Sequence, residues 1–279
     1  MIDTHASQAT LVIEAGRAER HYWHDLWRYR ELFFFLAWRD ILVRYKQTTF
    51  GIAWALARPF LTMLIFTLVF SKLAALPSDG VPYSMLVLSA LLPWQFFTGA
   101  FSGASDSMVS NAAMISKVYF PRLLFPASAM IVSFVDFLIA GLIMIGLMIW
   151  YGFAPNLRML TLPLFIFVAF ATALGAGLWM AALNVKYRDF GIIVPVVVQF
   201  GMYVSPVAYS ISLVPEKWRL LYFMNPMAGV IEGFRWAILG GDFRIHWPGF
   251  LLSILLVIII FITGLIHFRK TEKSFVDTI

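Results

Sequence analysis

The sequence predicts an all-α integral membrane protein with six transmembrane helices, and three observations carry that reading. Of its 279 residues 61% are hydrophobic and 13% charged, where soluble domains run at roughly 45–50% and about 25%. Four uncharged runs of 24 to 27 residues are present, each able to cross a hydrocarbon core that needs about 20 helical residues. The cations, finally, are distributed unevenly between alternate connecting segments. A soluble enzyme is excluded, because the polar surface that a globule of this size requires is missing.

Residues 1–28 form a polar, mixed-charge tail without an apolar h-region, so no cleavable signal peptide is expected. His21, His24 and Asp25 are its nearest approach to a reactive constellation. In a polar tail they read as solvated, and no metal site is expected. Residues 29–47 are apolar but interrupted by Arg39, Asp40, Arg44 and Lys46, too costly for a span. Phe34, Trp38, Ile41 and Tyr45 share one helical stripe from which Arg39 and Lys46 point away. That pattern fits an N-terminal interfacial amphipathic helix, with a packed surface helix as the plain alternative.

A membrane domain over residues 48–268 follows, with spans placed at 53–76, 82–105, 123–151, 159–185, 190–212 and 246–268, then a tail at 269–279. The first span carries Arg58 and Lys72 near its ends, where long side chains snorkel. The fifth contains Pro195 and Pro206, read as kinks. Six spans put both termini on one side. Placing that side in the cytoplasm collects 15 of the 21 Lys and Arg residues there and leaves Lys72, Arg158, Lys217, Arg219, Arg235 and Arg244 outside. Membrane orientation therefore accounts for the net charge of +6, and no nucleic-acid partner is expected. The chain shows no convincing internal repeat, which weakens a repeat-built secondary carrier.

Between the second and third spans, Ser110 and Asn111 offer an N-cap for a short helix over 111–120, stopped by Pro121. Its Met114, Ile115, Val118 and Tyr119 face either a partner protein or the bundle. Residues 215–239 read as an outer re-entrant helix pair, 215–224 and 227–239, broken at Asn225-Pro226 and stopped by Gly240-Gly241. Trp218, Tyr222, Phe223, Phe234 and Trp236 make the pair amphipathic, and Glu232 is spaced to meet Arg235 at i, i+3. A lid over an exit path and an aromatic interface belt are the two readings.

No cysteine is present, which excludes disulfides, thiolate nucleophiles, iron–sulfur clusters and cysteine-ligated zinc. No G-x-x-x-x-G-K-[ST] loop occurs, so any ATP drive must come from another subunit, and this chain is expected to bind no cofactor itself. Asp136 is the sole acid deep within a span, where a carboxylate costs about 3 kcal/mol. It needs a proton or a partner, for which Arg58 or a neighbouring hydroxyl is available. An interhelical contact is preferred to a proton relay, since no other span offers an ionisable group at that depth. Trp94, Phe96, Phe97, Phe101, Phe200, Tyr203 and Tyr209 lie near the outer halves of spans two and five. They are rings on which sugars stack, or plain lipid-facing packing.

Taken together, this order of elements resembles the permease subunits of polysaccharide-exporting ABC transporters. The strings at 38–59 (WRDILVRYKQTTFGIAWALARP), 91–97 (LLPWQFF), 117–122 (KVYFPR), 184–189 (NVKYRD) and 205–227, with its LVPEKWR and NPM, look like that family over residues 29–268. VRYKQT and NVKYRD look closer to the O-antigen and teichoic-acid exporters than to the capsule branch. The resemblance implies two copies of this chain around a pore, and two copies of a separate ABC ATPase, which uses ATP and Mg, docked underneath. The cargo would be an undecaprenyl-diphosphate-linked polysaccharide crossing the inner membrane among its lipids. Residues 111–120, with Asn111, Met114, Ile115, Lys117, Val118 and Tyr119, match the family's coupling helix. Lys186, Tyr187 and Arg188 form a second, smaller ATPase contact.

By the same matching the helices of 215–239 are the outer gate, with Trp218, Tyr222, Glu232, Arg235 and Trp236. The interfacial helix flanks substrate access, where Arg44, Lys46 and Arg58 suit a diphosphate or equally serve the positive-inside rule. The tail 1–28 lies outside the resemblance. Alternative functions are an ABC exporter of a drug or lipid, and an ion-coupled secondary carrier centred on Asp136. A membrane-embedded glycosyltransferase or hydrolase is disfavoured, because no clustered acids face a cavity.

Overall fold

The computed structural model describes residues 22–46, 51–117, 120–241, 243–272 and 275, and among them every regular element is a helix. In chain order these are α1 (Tyr22–Arg28), α2 (Arg30–Lys46), α3 (Gly51–Phe66) with a π-helical continuation Thr67–Leu73, α4 (Tyr83–Ser110) and α5 (Ala112–Ile115). Next come α6 (Leu124–Tyr151), a 3-10 turn Leu157–Thr161 leading into α7 (Leu162–Lys186), and α8 (Phe190–Val204). A second 3-10 turn, Ile211–Leu213, precedes α9 (Glu216–Tyr222), α10 (Pro226–Leu239) and α11 (Trp247–Glu272).

Five helical segments are long and apolar enough to cross a membrane: Ile52–Leu73, Tyr83–Ser110, Leu124–Tyr151, Leu157–Lys186 and Trp247–Glu272. The expected fifth span, 190–212, is not one continuous helix. Its helix α8 ends after 15 residues, about 22 Å of rise against a core of about 30 Å. Pro195 is absorbed inside the helix, but Pro206 forces Ser205 into an extended conformation (ψ 148°), which stops it. Pro206 is thus a terminator, where the sequence reading made it a kink.

The arrangement follows from which runs lack a polar face. α4 is buried at every position from Tyr83 to Trp94 and forms the centre of the bundle, with α6, α7, α10, α3 and α8 packed around it. On the far side α7 lies along α11 at a glycine crossing. A Cβ on Gly175 would sit 2.6 Å from the Phe261 Cα, and one on Gly264 would strike the Gly175 carbonyl. Backbones approach there as small residues permit in membranes.

One end of the bundle gathers α1, α2, the α4–α5 corner and the end of α11. The Arg269 guanidinium lies 4.3 Å from the Tyr22 ring, and the Arg122 amide donates to Glu272 Oε1 at 3.0 Å. Residues 22–28, read from sequence as part of a polar tail, therefore contain a helix anchored by the buried Tyr22. Burial and the Glu272 charge raise the Tyr22 hydroxyl well above the ordinary tyrosine range.

At the opposite end, Asn225 caps α10, its Oδ1 accepting from the Met227 amide at 3.1 Å. Gly240, at φ 63°, ends the helix. Both punctuation marks fall where the sequence put them. The amphipathic reading of the second re-entrant helix does not hold: apart from the half-buried Trp236, every residue from Met227 to Leu239 is buried, against α4, α7 and α11.

Candidate functional site: a charged cleft between α3, α4, α6 and α8

A cleft of about 1180 Å³ opens among these four helices. Each wall is a helical stripe. α3 contributes Trp54, Arg58, Leu61 and Ile65; α4 contributes Gln95, Thr98, Ser102 and Asp106; α6 contributes Ser133, Asp136 and Ala140; α8 adds Pro195, Val198, Gln199 and Met202. Steps of three and four place each set on one helix face. Trp94 and Phe96 floor the cleft from α4, and Arg44 reaches in from α2. The cleft is therefore apolar and aromatic on much of its wall, with two cations, Arg44 and Arg58, and two acids, Asp106 and Asp136, in its lining.

Its charges are arranged. Asp136 accepts from the Arg44 guanidinium on one carboxylate oxygen and from the Tyr45 hydroxyl on the other. The expected partner Arg58 lines the same cleft but does not make that pair. The cation comes from α2, which packs mainly against α6. The Arg44 side chain remains 49% exposed and that of Asp136 24%. Burial, followed by the hydrogen bond to Asp136, raises the Tyr45 hydroxyl above its ordinary range. Asp106 accepts from Asn184 Nδ2 at 3.2 Å, tying α4 to the end of α7. Lys46 is exposed at the end of α2 and is not among the cleft residues.

The seven aromatics singled out from sequence do not make one path. Trp94 and Phe96 line the cleft. Phe97 and Phe101 stack on each other at 5.6 Å, outside the cleft lining. Phe200 and Tyr203 are 65% and 68% exposed and likewise absent from it. Tyr209 pairs instead with Tyr222, hydroxyl to hydroxyl at 2.6 Å.

Of the outer-gate residues, Trp218 is exposed and Tyr222 half-buried. Trp236 carries the Arg158 guanidinium 5.2 Å above its ring. Glu232 and Arg235 pair as spaced, at 3.5 Å, but with side chains 7% and 0% exposed they line no open passage. Arg235 also donates to the carbonyls of Tyr209 (2.9 Å), Val207 (3.3 Å) and Leu86 (3.4 Å). It fastens α10 to α4 and to the turn that follows α8.

The expected helix over 111–120 is a single turn, α5. Asn111 spends its side chain elsewhere: Nδ2 donates to the Ser107 carbonyl at 2.8 Å and Oδ1 accepts from Arg39 at 2.9 Å. Its side chain therefore serves the end of α4 and gives α5 no cap, and Ser110 belongs to α4. Ile115 is buried and Met114 half-buried against the bundle, leaving Lys117 exposed; Val118 and Tyr119 lie outside the described residues. Lys186, Tyr187 and Arg188 are all exposed at the end of α7, with the Lys186 ammonium 5.0 Å from the Tyr187 ring.

A model of the ABC-2 type transporter family matches residues 31–239. The chain belongs to the ABC-2 type transporter family. Two relatives, each called O-antigen export system permease protein RfbA, illustrate the likeness. The one from Klebsiella pneumoniae is 27% identical over 86% of this chain and 91% of its own length. The one from Myxococcus xanthus is 26% identical over 76% and 81%. The capsule polysaccharide export inner-membrane protein CtrC of Neisseria meningitidis serogroup B is 24% identical over 91% and 96%.

In this ABC-2 type chain the matched region contains every cleft residue named above. The hydroxyl expected beside Asp136 is that of Tyr45, a residue the sequence reading did not name as its partner, and sequence reasoning missed the polar stripe Gln95, Thr98, Ser102, Asp106. The stripe was readable: its i, i+3, i+7, i+11 spacing through an uncharged span is the mark of a helix face turned to a polar cavity.

Proposed function

We propose that this chain is the membrane-spanning subunit of an ATP-driven exporter that moves an undecaprenyl-diphosphate-linked, O-antigen-like polysaccharide from the cytoplasm across the inner membrane. The observation that carries the reading is the cleft: a cavity with Arg44 and Arg58 among its residues and tryptophan, phenylalanine, glutamine and hydroxyl side chains along its walls. Guanidinium groups give charge-assisted hydrogen bonds to phosphate oxygens. Aromatic faces and neutral polar groups let a glycan pass without anchoring it. The names of the relatives, permeases for O-antigen and capsule polysaccharide export, point to the same cargo.

Two copies of the chain would form the complete passage, with two ABC ATPase subunits supplying the drive at the end that carries α1, α2 and α5. Exposed Lys117, Lys186, Tyr187 and Arg188 suit the ATPase contact there. With both termini cytoplasmic, α8 and the turn after it complete a sixth crossing as a short helix relayed by an irregular segment. Irregular backbone at membrane depth is tolerated where protein buries it, and Ser205 to Ala208 are buried.

Depletion of the protein in its native host, followed by separation of lipid-linked glycan into cytoplasmic-side and surface pools, tests the reading. Loss of surface polymer with accumulation inside is the expected result. Unchanged pools would withdraw the glycan and leave a drug or lipid as cargo. Replacing Arg44, Lys46 and Arg58 singly by Gln, with insertion and export both measured, separates substrate contact from orientation.

A further inference from the structure

We propose that Asp136 is a resident counter-ion that takes the place of the cargo's phosphates: it holds α2 against α6 while the cleft is empty and yields Arg44 when a diphosphate arrives. The inference rests on the cleft reading above and adds a regulatory step to it. Both oxygens of one carboxylate are occupied by consecutive residues of α2, Arg44 and Tyr45. Neighbouring side chains on a helix point about 100° apart, so this convergence joins α2 to α6 at one acid. That acid is the only charged residue between Arg122 and Arg158.

The pair sits where exchange is possible, with about half of the Arg44 side chain open to its surroundings. Arg58 lines the same cleft and enters no salt bridge among the described residues. A diphosphate lodged between Arg44 and Arg58 would draw charge-assisted bonds from both, against the like charge of Asp136. When Arg44 turns to the phosphate, Asp136 keeps the neutral Tyr45 hydroxyl and α2 loses its ionic tie. The same helix carries Arg39, which donates to Asn111 at 2.9 Å at the start of α5. Loosened α2 thus carries cleft occupancy to the turn nearest the ATPase contact, and by reciprocity a movement of that turn biases the cleft.

The test uses the full-length chain in phosphatidylcholine nanodiscs, titrated with farnesyl diphosphate and, as the uncharged control, farnesol. Binding is read from tryptophan emission, to which Trp54 and Trp94 in the cleft contribute. Asp136→Asn is expected to bind the diphosphate about tenfold tighter than the unmodified chain, and Arg44→Gln and Arg58→Gln about tenfold weaker. Asp136→Glu, which keeps the charge, should stay within about twofold of the unmodified affinity. A second readout follows α2 directly. The chain has no cysteine, so spin labels on Val43→Cys and Leu138→Cys, both exposed positions, report the α2–α6 distance. It should lengthen on adding diphosphate and already be long in Asp136→Asn without ligand. Weakened binding in Asp136→Asn, matching Arg44→Gln, would overturn the counter-ion and leave Asp136 a support for α2. Diphosphate binding no tighter than farnesol in the unmodified chain would instead overturn the cleft reading itself.

Discussion

Two of the arginine–carboxylate pairs among the described residues, Arg235–Glu232 and Arg44–Asp136, differ in burial, and burial gives them opposite characters. Arg235 and Glu232 are shut away, and the guanidinium is further satisfied by carbonyls from α4 and from the turn after α8. Arg44 is about half exposed and Asp136 about a quarter, and together they hold one helix to another at a cleft. A fully desolvated pair cannot lose one member without stranding the other, so it acts as a fastener. The other pair keeps a half-exposed cation beside its carboxylate, so a better ligand can take that cation. The same residue types therefore fix the architecture in one place and leave a movable contact in another.

The largest effect is expected from breaking the fastener. Arg235→Ala should lower stability by about 3–5 kcal/mol, because Glu232 is left as a buried, unpaired charge. Arg235→Lys should not recover it, since one ammonium does not reproduce a planar fork reaching carbonyls on two elements. Replacing both members by Met removes the stranded charge and should restore much of the loss. Thermal unfolding in detergent, followed by intrinsic fluorescence, measures all three. A single Arg235→Ala variant that melts with the unmodified chain would mean that the pair fastens nothing.

The difference between the two pairs was only half legible in the sequence. Spacing alone matched Glu232 to Arg235, and the Asn225 and Gly240 punctuation of α10 was readable because local backbone chemistry sets helix ends. What spacing did not reveal is burial: a helix that looks amphipathic in isolation is enclosed once α4, α7 and α11 surround it. Asp136 was recognised as needing a partner, but Arg44 lies 92 positions away in sequence and meets it only through the packing of α2 on α6. The five long spans follow from length and apolarity. α8 was overextended because Pro206 in an uncharged run reads equally as a kink or a stop. The helix over 111–120 was overextended because Asn111, which looked like a cap, is engaged by Ser107 and Arg39.

An intermediate effect sharpens the scale. Gly264→Ala alters neither pair but places a Cβ against the Gly175 carbonyl, a backbone atom with little room to move. A loss of about 1–3 kcal/mol is expected, the range for overpacking a tight contact. Because α7 and α11 must part to accept the methyl group, the loss should appear in the unfolding midpoint. A neutral result would mean that the two helices slide apart freely.

The smallest stability effect is expected from Asp136→Asn, at no more than about 1 kcal/mol, since the variant removes the carboxylate, leaves a half-exposed cation and lets Tyr45 continue to donate to residue 136. Arg44→Gln should cost more, up to about 3 kcal/mol, because it leaves that carboxylate without its cation. Export should respond far more strongly than stability, and differently in the two variants, since one loses a phosphate ligand and the other loses its competitor. Raising salt should weaken what stability the pair supplies while leaving the Arg235 fastener unaffected, because screening reaches exposed charges and not enclosed ones. If Asp136→Asn instead cost as much as Arg235→Ala, the distinction between a fastener and an exchangeable contact would fail, and both pairs would have to be read as architecture.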